Sequence, residues 1–187
     1  MGPGTVRPWL INLVENLLSV TRIEDGKMNL HLETELIEEV INEALNHISH
    51  KKDEHRIEVK ANDEFILAKI DAGLIIQVII NIVDNAIKYT PKGSMISIET
   101  FKHKDFVEIQ IADDGAGISD KDKEKLFEMF YTVKHEVIDG RRGLGLGLAL
   151  CKAIIVAHGG NIAVKDNIPH GTIFSFTLPI KEVEIHE

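Results

Sequence analysis

The spacing of apolar residues along the chain predicts both helices and strands. In some segments apolar residues recur every three to four positions, as in helices with one buried face, and in others they alternate with polar residues, as in strands. The predicted helices cover 8–23, 36–48, 72–90 and 144–158, with a short one after Ser119; the predicted strands cover 28–32, 56–60, 65–70, 96–103, 106–112, 161–165 and 172–178. Because the two kinds of element do not strictly alternate, we expect an α+β fold with a largely antiparallel sheet covered by helices.

Composition and charge narrow the possible functions of the chain. The 187 residues include 30 Asp and Glu against 21 Lys and Arg, which gives a net charge of −9 and makes a nucleic-acid partner unlikely on electrostatic grounds. Cys151 is the only cysteine, so no internal disulfide can form. The sequence shows neither a signal peptide nor an apolar run of about 20 residues. We therefore expect a cytoplasmic domain, whose parent protein could still be anchored in the inner membrane.

A polar stripe interrupts the otherwise apolar helix that follows Asp71. Its residues recur at intervals of three and four and so share one face: Gln77, Asn81, Asp84, Asn85 and Lys88. Asparagine is a poor choice for an exposed helix surface, whereas its carbonyl oxygen suits Mg²⁺, and a lysine can meet phosphate oxygens. The stripe is thus consistent with a magnesium and phosphate site, although a solvated back face explains it equally well.

Two glycine-containing motifs carry further candidate chemistry. The sequence D-D-G-A-G-I at 113–118 follows a predicted strand, where a carboxylate can accept a hydrogen bond from an exocyclic amine such as that of adenine. The sequence G-L-G-L-G-L at 143–148 follows Arg141 and Arg142 and opens a predicted helix, whose free N–H groups can bind phosphate. It matches neither the Rossmann nor the P-loop spacing. Taken singly, a simple turn and a flexible hinge remain open alternatives.

Together the three motifs resemble a known family. N-x-x-D-N-A-x-K-Y-T, D-D-G-A-G-I and G-L-G-L-G-L occur in the order seen in the ATP-binding catalytic domains of bacterial sensor histidine kinases, in the GHKL superfamily. The resemblance covers about residues 7–180 and includes 126–131, which is similar to the family's F-box, and Gly171-Thr172, which is similar to its last glycine box. Within this family, the amino-acid sequence is most similar to that of potassium-regulating sensor kinases of the Kdp type. The implied fold is the Bergerat fold, a two-layer α/β sandwich.

The resemblance also implies domain limits and site residues. Residues 1–26 would be an N-terminal remnant with the end of a dimerisation helix, 27–181 the catalytic ATP-binding domain, and 182–187 a tail. Catalytic roles fall to Asn81, Asp84, Asn85 and Lys88, with Asn85 and Asn81 as Mg²⁺ ligands. The implied ATP-binding residues are Asn81, Asn85, Lys88, Tyr89, Asp113, Gly115, Gly117, Ile118, Phe130, Tyr131, Lys134, Arg141, Arg142, Gly143, Leu144, Gly145, Leu146, Gly147, Leu148 and Thr172. Residues 131–142 would form a lid over the nucleotide.

The implied function is that of a histidine kinase, which presents Mg-ATP to a phosphoacceptor histidine. The motif of that histidine, a His followed by an acidic residue and a Pro, is missing, so the acceptor is expected on upstream dimerisation helices of a homodimeric parent, with a response regulator as the next partner. The chain also departs from the family at Thr132, where a basic residue is usual, which leaves Lys134, Arg141 or Arg142 to supply that charge. The alternative is a GHKL-type ATPase. In those enzymes a glutamate activates water at the position of Asn81, and an amide cannot do so.

Overall fold

The computed structural model describes residues 29–48, 54–60, 65–133 and 145–180, and six helical residues between 11 and 22. The rest of the predicted N-terminal remnant and the predicted tail lie outside the described residues. So do Lys134, Arg141, Arg142, Gly143 and Leu144, and with them most of the predicted lid.

The described part contains seven strands and four helices. In chain order they are β1 (Glu33–Leu36), α1 (Ile37–His47), β2 (Arg56–Val59), β3 (Leu67–Ile70), α2 (Ala72–Tyr89), β4 (Met95–Lys102), β5 (Phe106–Asp113), α3 (Asp120–Lys123), α4 (Gly147–Ala157), β6 (Ile162–Asp166) and β7 (Thr172–Pro179). The predicted succession of elements is therefore largely confirmed.

A five-stranded sheet forms one layer of the molecule. Its strand order is β2-β4-β5-β7-β6; β2 runs parallel to β4, and the other neighbours are antiparallel. Strands β1 and β3 form a separate antiparallel pair. Helices α1, α2 and α4 pack together and, with the sheet, enclose a single apolar core. This arrangement confirms the predicted α+β sandwich with a mostly antiparallel sheet.

The alternation of side chains explains why the helices cover one face of the sheet. Every second residue of the central strand β5 is buried, and the intervening residues are only partly buried. Strand β7 repeats this pattern, with Phe174, Phe176 and Leu178 buried. Each large apolar side chain removed from water in this way stabilises the fold by roughly 1.5–3 kcal/mol. The last buried residue of β5 is Asp113 and the first of β7 is Thr172. The apolar core is therefore bordered by polar groups where these two neighbouring strands meet at one end of the sheet.

Helix α2 lies antiparallel to α4, and hydrogen bonds join the two along their length. Asp71 caps α2, because its Oδ1 accepts from the N–H of Leu74 at 3.3 Å. The N–H of Asp71 donates to Nε2 of His158, just after the end of α4, at 3.1 Å, and its Oδ2 accepts from the N–H of His31 at 3.1 Å. Halfway along, the Cys151 thiol contacts the carbonyl of Val78 at 3.8 Å. The start of α2 is therefore fixed to the end of α4.

Helix α2 is long and apolar enough to cross a membrane by length and composition alone. It is the one such helix in the part of the chain that the structure describes, with 18 residues and a mean hydropathy of 1.3. Six of its residues are buried in the core: Ile75, Val78, Ile79, Ile82, Val83 and Ala86. This packing against the sheet and two helices accounts for its apolar character.

Two predicted boundaries are wrong. The predicted strand at 28–32 is not observed over 29–32; the strand begins at Glu33, because its partner β3 pairs with 33–36. Helix α4 begins at Gly147 rather than at Leu144. Gly145 adopts a φ of 71°, which a right-handed helix cannot include, so the helix cannot begin before it.

Candidate nucleotide-binding site

The polar stripe of α2 reaches the start of α4 through Asn81. Asn81, Asp84, Asn85 and Lys88 are all partly buried, as a stripe directed toward other parts of the protein should be. Asn81 lies against Gly147, since a Cβ built on that glycine would stand 3.9 Å from Asn81 Cγ. Its Nδ2 is buried and interacts within the described residues with the Cys151 thiol. A thiol is a weak acceptor, so this position is suited to a stronger polar ligand.

The first turn of α4 offers backbone N–H groups. No side chain caps the helix and no acidic residue lies in its first turn. Leu146 and Leu148 of the motif point inward, because Leu146 is buried and Leu148 is packed on the core. The intervening Gly147 faces Asn81. The alternating sequence therefore anchors the turn with its leucines and keeps the helix N-terminus, with its positive dipole end, open to the polar stripe.

Asp113 is a buried carboxylate at the end of β5. Its Oδ1 accepts hydrogen bonds from the N–H of Gly115 at 2.9 Å and from the N–H of Thr172 at 3.3 Å. Its Oδ2 makes no hydrogen bond within the described part of the chain. Burial raises the pKa of Asp113, the two backbone hydrogen bonds lower that pKa in part, and the neighbouring Asp114 raises it further. Thr172, its register partner on β7, is also buried. One carboxylate oxygen is thus fixed and the other is available.

The turn after Asp113 approaches α2 too closely for any side chain. A Cβ on Gly115 would lie 2.7 Å from Cγ2 of Thr90 and 3.0 Å from Oδ1 of Asp113. Gly117 adopts a φ of 79°, and Ile118 packs on the core beyond it. The two glycines are therefore required by the close packing of this turn on Thr90 and by its backbone conformation.

The aromatic residues predicted for the site have different surroundings. The N–H of Phe130 donates to the carbonyl of Gly145 at 3.0 Å, its φ is 62° and its ring is 61% exposed. The hydroxyl of Tyr131 donates to Asp122 in α3, and this bond raises the pKa of Tyr131. Tyr89 is exposed at the end of α2, and partial burial raises its pKa. Phe130 is joined to the glycine-rich turn, whereas Tyr131 is held by α3.

The sequence analysis missed three residues that support the Asp113 turn. The amide Nδ2 of Asn167 donates to the carbonyl of Asp113 at 2.8 Å, and Nδ1 of His170 lies 3.3 Å from the carbonyl of Gly115. Thr90 contacts Gly115 from the other side. The sequence Asn167-Ile-Pro-His170-Gly carries a turn signal, but nothing in it indicates which loop it contacts.

Comparison with known proteins agrees with this geometry. Residues 70–182 match the family described as histidine kinase-, DNA gyrase B- and HSP90-like ATPases. The sensor protein KdpD of Clostridium acetobutylicum is 43% identical over 171 residues, which are 91% of this chain and 19% of that protein. The predicted similarity to Kdp-type kinases is therefore confirmed. The chain spans about a fifth of the length of that relative.

Solved structures show the same fold. Full-length ShkA in complex with AMPPNP has a TM-score of 0.76 and 25% identity, over 91% of this chain and 35% of that one. Histidine kinase ThkA in complex with the response regulator TrrA has a TM-score of 0.71 and 25% identity, over 97% of this chain and 53% of that one. The chain belongs to the histidine kinase-, DNA gyrase B- and HSP90-like ATPase family, and its fold is that of the catalytic domains of sensor histidine kinases.

Proposed function

We propose that this chain binds Mg-ATP, with the adenine at the Asp113 turn and the phosphates between the α2 stripe and the start of α4. The observation that carries the proposal is the hydrogen bonding of Asp113. One of its oxygens is occupied by two backbone N–H groups, and the other is left to accept from an amino group. Adenine offers an amino group at this edge and guanine offers a carbonyl, so the carboxylate would select adenine.

Asn85 and Asn81 would hold the metal ion, and Lys88 and the first N–H groups of α4 would meet the phosphates. The donor set fits, because neutral amide oxygens beside phosphate oxygens suit Mg²⁺. The Nδ2 of Asn81 also lies toward Gly147, where a phosphate oxygen could accept from it. Bound Mg²⁺ would neutralise part of the phosphate charge during transfer. Asp84, between the two asparagines on this face, would help to hold the stripe.

The reaction that follows is phosphoryl transfer to a histidine on a separate helical domain. The protein's contribution would be to position the γ-phosphoryl group and neutralise its charge. Asn81 has no carboxylate with which to activate water, and this favours transfer over hydrolysis. The structural similarity to ThkA bound to the response regulator TrrA supports a response regulator as the final acceptor. We propose a cytoplasmic location for this domain and a homodimeric parent protein joined through upstream dimerisation helices.

Radiolabel transfer tests this function. We expect the chain to bind Mg-ATP in calorimetry but to accumulate little phosphohistidine, because none of its nine histidines lies in the phosphoacceptor motif. Adding a helical fragment that carries the motif should produce acid-labile, base-stable label on that fragment. A fragment with Gln in place of the histidine is the control. Rapid release of free phosphate without label on the fragment would instead favour the ATPase alternative, and failure to bind Mg-ATP would exclude both.

A further inference from the structure

Buried polar side chains of the described residues concentrate around the Asp113 turn. There are five of them: His55, Thr90, Ser94, Asp113 and Thr172. Burying polar groups costs free energy, so their concentration in one place indicates a function there. Asp113 and Thr172 belong to the proposed adenine site. His55 has no place in that site and is the one buried histidine of the described residues.

The hydrogen bonds of Thr90 determine the direction of the bond from His55. The Thr90 hydroxyl has one proton, which it donates to the carbonyl of Ala86 at 2.6 Å. Nε2 of His55 lies 3.0 Å from the same hydroxyl oxygen and 3.4 Å from the Thr90 carbonyl. Since the hydroxyl proton is already used, Nε2 of His55 must carry the hydrogen and donate it. Nδ1 is then a bare acceptor, and it is buried without a partner in the described residues.

Thr90 connects the side chain of His55 to the Asp113 turn. Its hydroxyl is held by Ala86 and His55, so its methyl group is fixed as well. That methyl group lies where a side chain of Gly115 would stand. The N–H of Gly115 in turn donates to Oδ1 of Asp113. A rotation of Thr90 would therefore move Gly115 and, with it, the carboxylate that we assign to adenine.

Backbone contacts hold the segment around His55 independently of its side chain. The N–H of Gly93 donates to the carbonyl of Glu54 at 2.6 Å, and the N–H of Arg56 donates to the carbonyl of Ser94 at 2.9 Å. An ion pair joins Lys92 to Glu54 at 2.7 Å. Substituting the His55 side chain should therefore leave the segment attached to the turn after α2, which makes the contact with Thr90 testable.

We infer that His55 is a positioning residue for adenine recognition, which acts through Thr90 and Gly115 on the carboxylate of Asp113. This inference rests on the proposed function. His55 does not touch the nucleotide in this assignment; it fixes the rotamer of Thr90 on which the turn rests. The sequence offered no sign of it, because His55 lies 35 positions before Thr90 and 60 before Gly115.

Substitutions at His55 and Thr90 test the inference. His55→Leu removes the donor, and we expect about a tenfold loss of ATP affinity, a smaller loss for GTP, and an unchanged dependence on Mg²⁺. His55→Gln can return an N–H near the position of Nε2 and should restore most of the affinity. Thr90→Val keeps the methyl group and removes the hydroxyl, so it should match His55→Leu, and the double variant should lose no more than either single one. His47→Leu, at an exposed histidine of α1, is the matched control.

The amide resonance of Gly115 provides a readout without nucleotide. We expect it to shift in His55→Leu and Thr90→Val and to return in His55→Gln. An unmoved Gly115 resonance, or equal losses for ATP and GTP, would overturn the inference even where the unsubstituted chain binds ATP. If the unsubstituted chain binds no ATP while the resonance shifts as expected, the proposed function fails and the structural coupling from His55 to Gly115 stands.

Discussion

The two ends of the candidate site differ in how fully their polar groups are already bonded. At the base end, which comprises Asp113, Gly115, Thr90 and Thr172, backbone and side-chain hydrogen bonds fix the turn. At the phosphate end, which comprises the α2 stripe and residues 145–148, the buried Nδ2 of Asn81 has only a weak thiol partner and α4 starts without a side-chain cap. The base end is therefore formed in advance, whereas the phosphate end has groups that a ligand would complete. Substitutions should affect the two ends separately.

The largest effect is expected at the phosphate end. Asn85→Ala should remove the Mg²⁺-dependent part of ATP affinity, a loss of about 100-fold, because a direct ligand of the ion is deleted. The base end should be intact, so adenosine should bind as before. Calorimetry with and without Mg²⁺ measures both, and Glu39→Ala, at an exposed position of α1 outside the site, serves as the control. Equal Mg-ATP affinity in Asn85→Ala would contradict the metal assignment.

The reciprocal change is Asp113→Asn. Asparagine can keep the two backbone hydrogen bonds through its carbonyl, but it presents an N–H₂ group instead of an acceptor. We expect a loss of about 30-fold in ATP affinity, reduced preference over GTP, and an unchanged response to Mg²⁺. Because the buried charge is removed, the free energy of unfolding should not fall. An ATP preference that persists in this variant would argue against the adenine role.

The glycines of the phosphate end should differ in their tolerance to alanine. Gly145 has a positive φ, and its Cβ would lie 2.5 Å from the carbonyl oxygen of Tyr131, so Gly145→Ala should lower the free energy of unfolding by about 1–3 kcal/mol. A Cβ on Gly147 would have its nearest neighbour at 3.9 Å, and this residue belongs to the helix. Gly147→Ala should therefore raise the free energy of unfolding by about 0.5 kcal/mol. Urea denaturation compares the two variants. Equal effects would show that the surroundings of these glycines do not differ as described.

The smallest expected effect is a pH dependence confined to the base end. Burial raises the pKa of Asp113, so its carboxylate takes up a proton at a higher pH than an ordinary aspartate, whose pKa is about 3.9. ATP affinity should fall about two- to threefold on acidification as this acceptor is lost. The free energy of unfolding should instead rise on acidification. The ionised buried carboxylate destabilises the fold at neutral pH, and this destabilisation disappears as the pH falls through the raised pKa. Both dependences should be absent from Asp113→Asn, and their persistence there would assign them to another group.

Local signals were sufficient to predict most of the fold. Helix α2 begins directly after Asp71 as predicted, and the hairpin of β4 and β5 follows its alternating pattern closely. The strand predicted at 28–32 failed because pairing with β3, rather than local alternation, sets where β1 begins. The three motifs also indicated the site, and the structure brings Asn81 to Gly147 and Asp113 to Thr172.

The parts of the site that could not be predicted depend on contacts between distant segments. His55, Thr90 and Asn167 act on the Asp113 turn only because strands β2, β4, β5 and β7 bring their ends to one edge of the sheet. His55 and Asn167 lie outside the motifs, and Thr90, the last residue of the first motif, gives no sign in the sequence of its contact with Gly115. The motif that contains Tyr131 predicts a nucleotide contact, which stays a prediction, and it gave no indication of the bond between the Tyr131 hydroxyl and Asp122.

The hydrogen bond between Asp71 and His158 joins helices α2 and α4 at one end of the pair. This bond holds the beginning of α2 to the end of α4, and the carboxylate of Asp71 also accepts from the backbone N–H of His31. The other end of the pair, ten residues further along α2, is the phosphate end, where Asn81 faces Gly147. A change in the angle between the two helices would therefore leave the Asp71 end in place and displace the phosphate end. Because Asp71 also bonds the backbone of His31, the segment that leads into β1 is attached to the fixed end of the helix pair and not to its phosphate end.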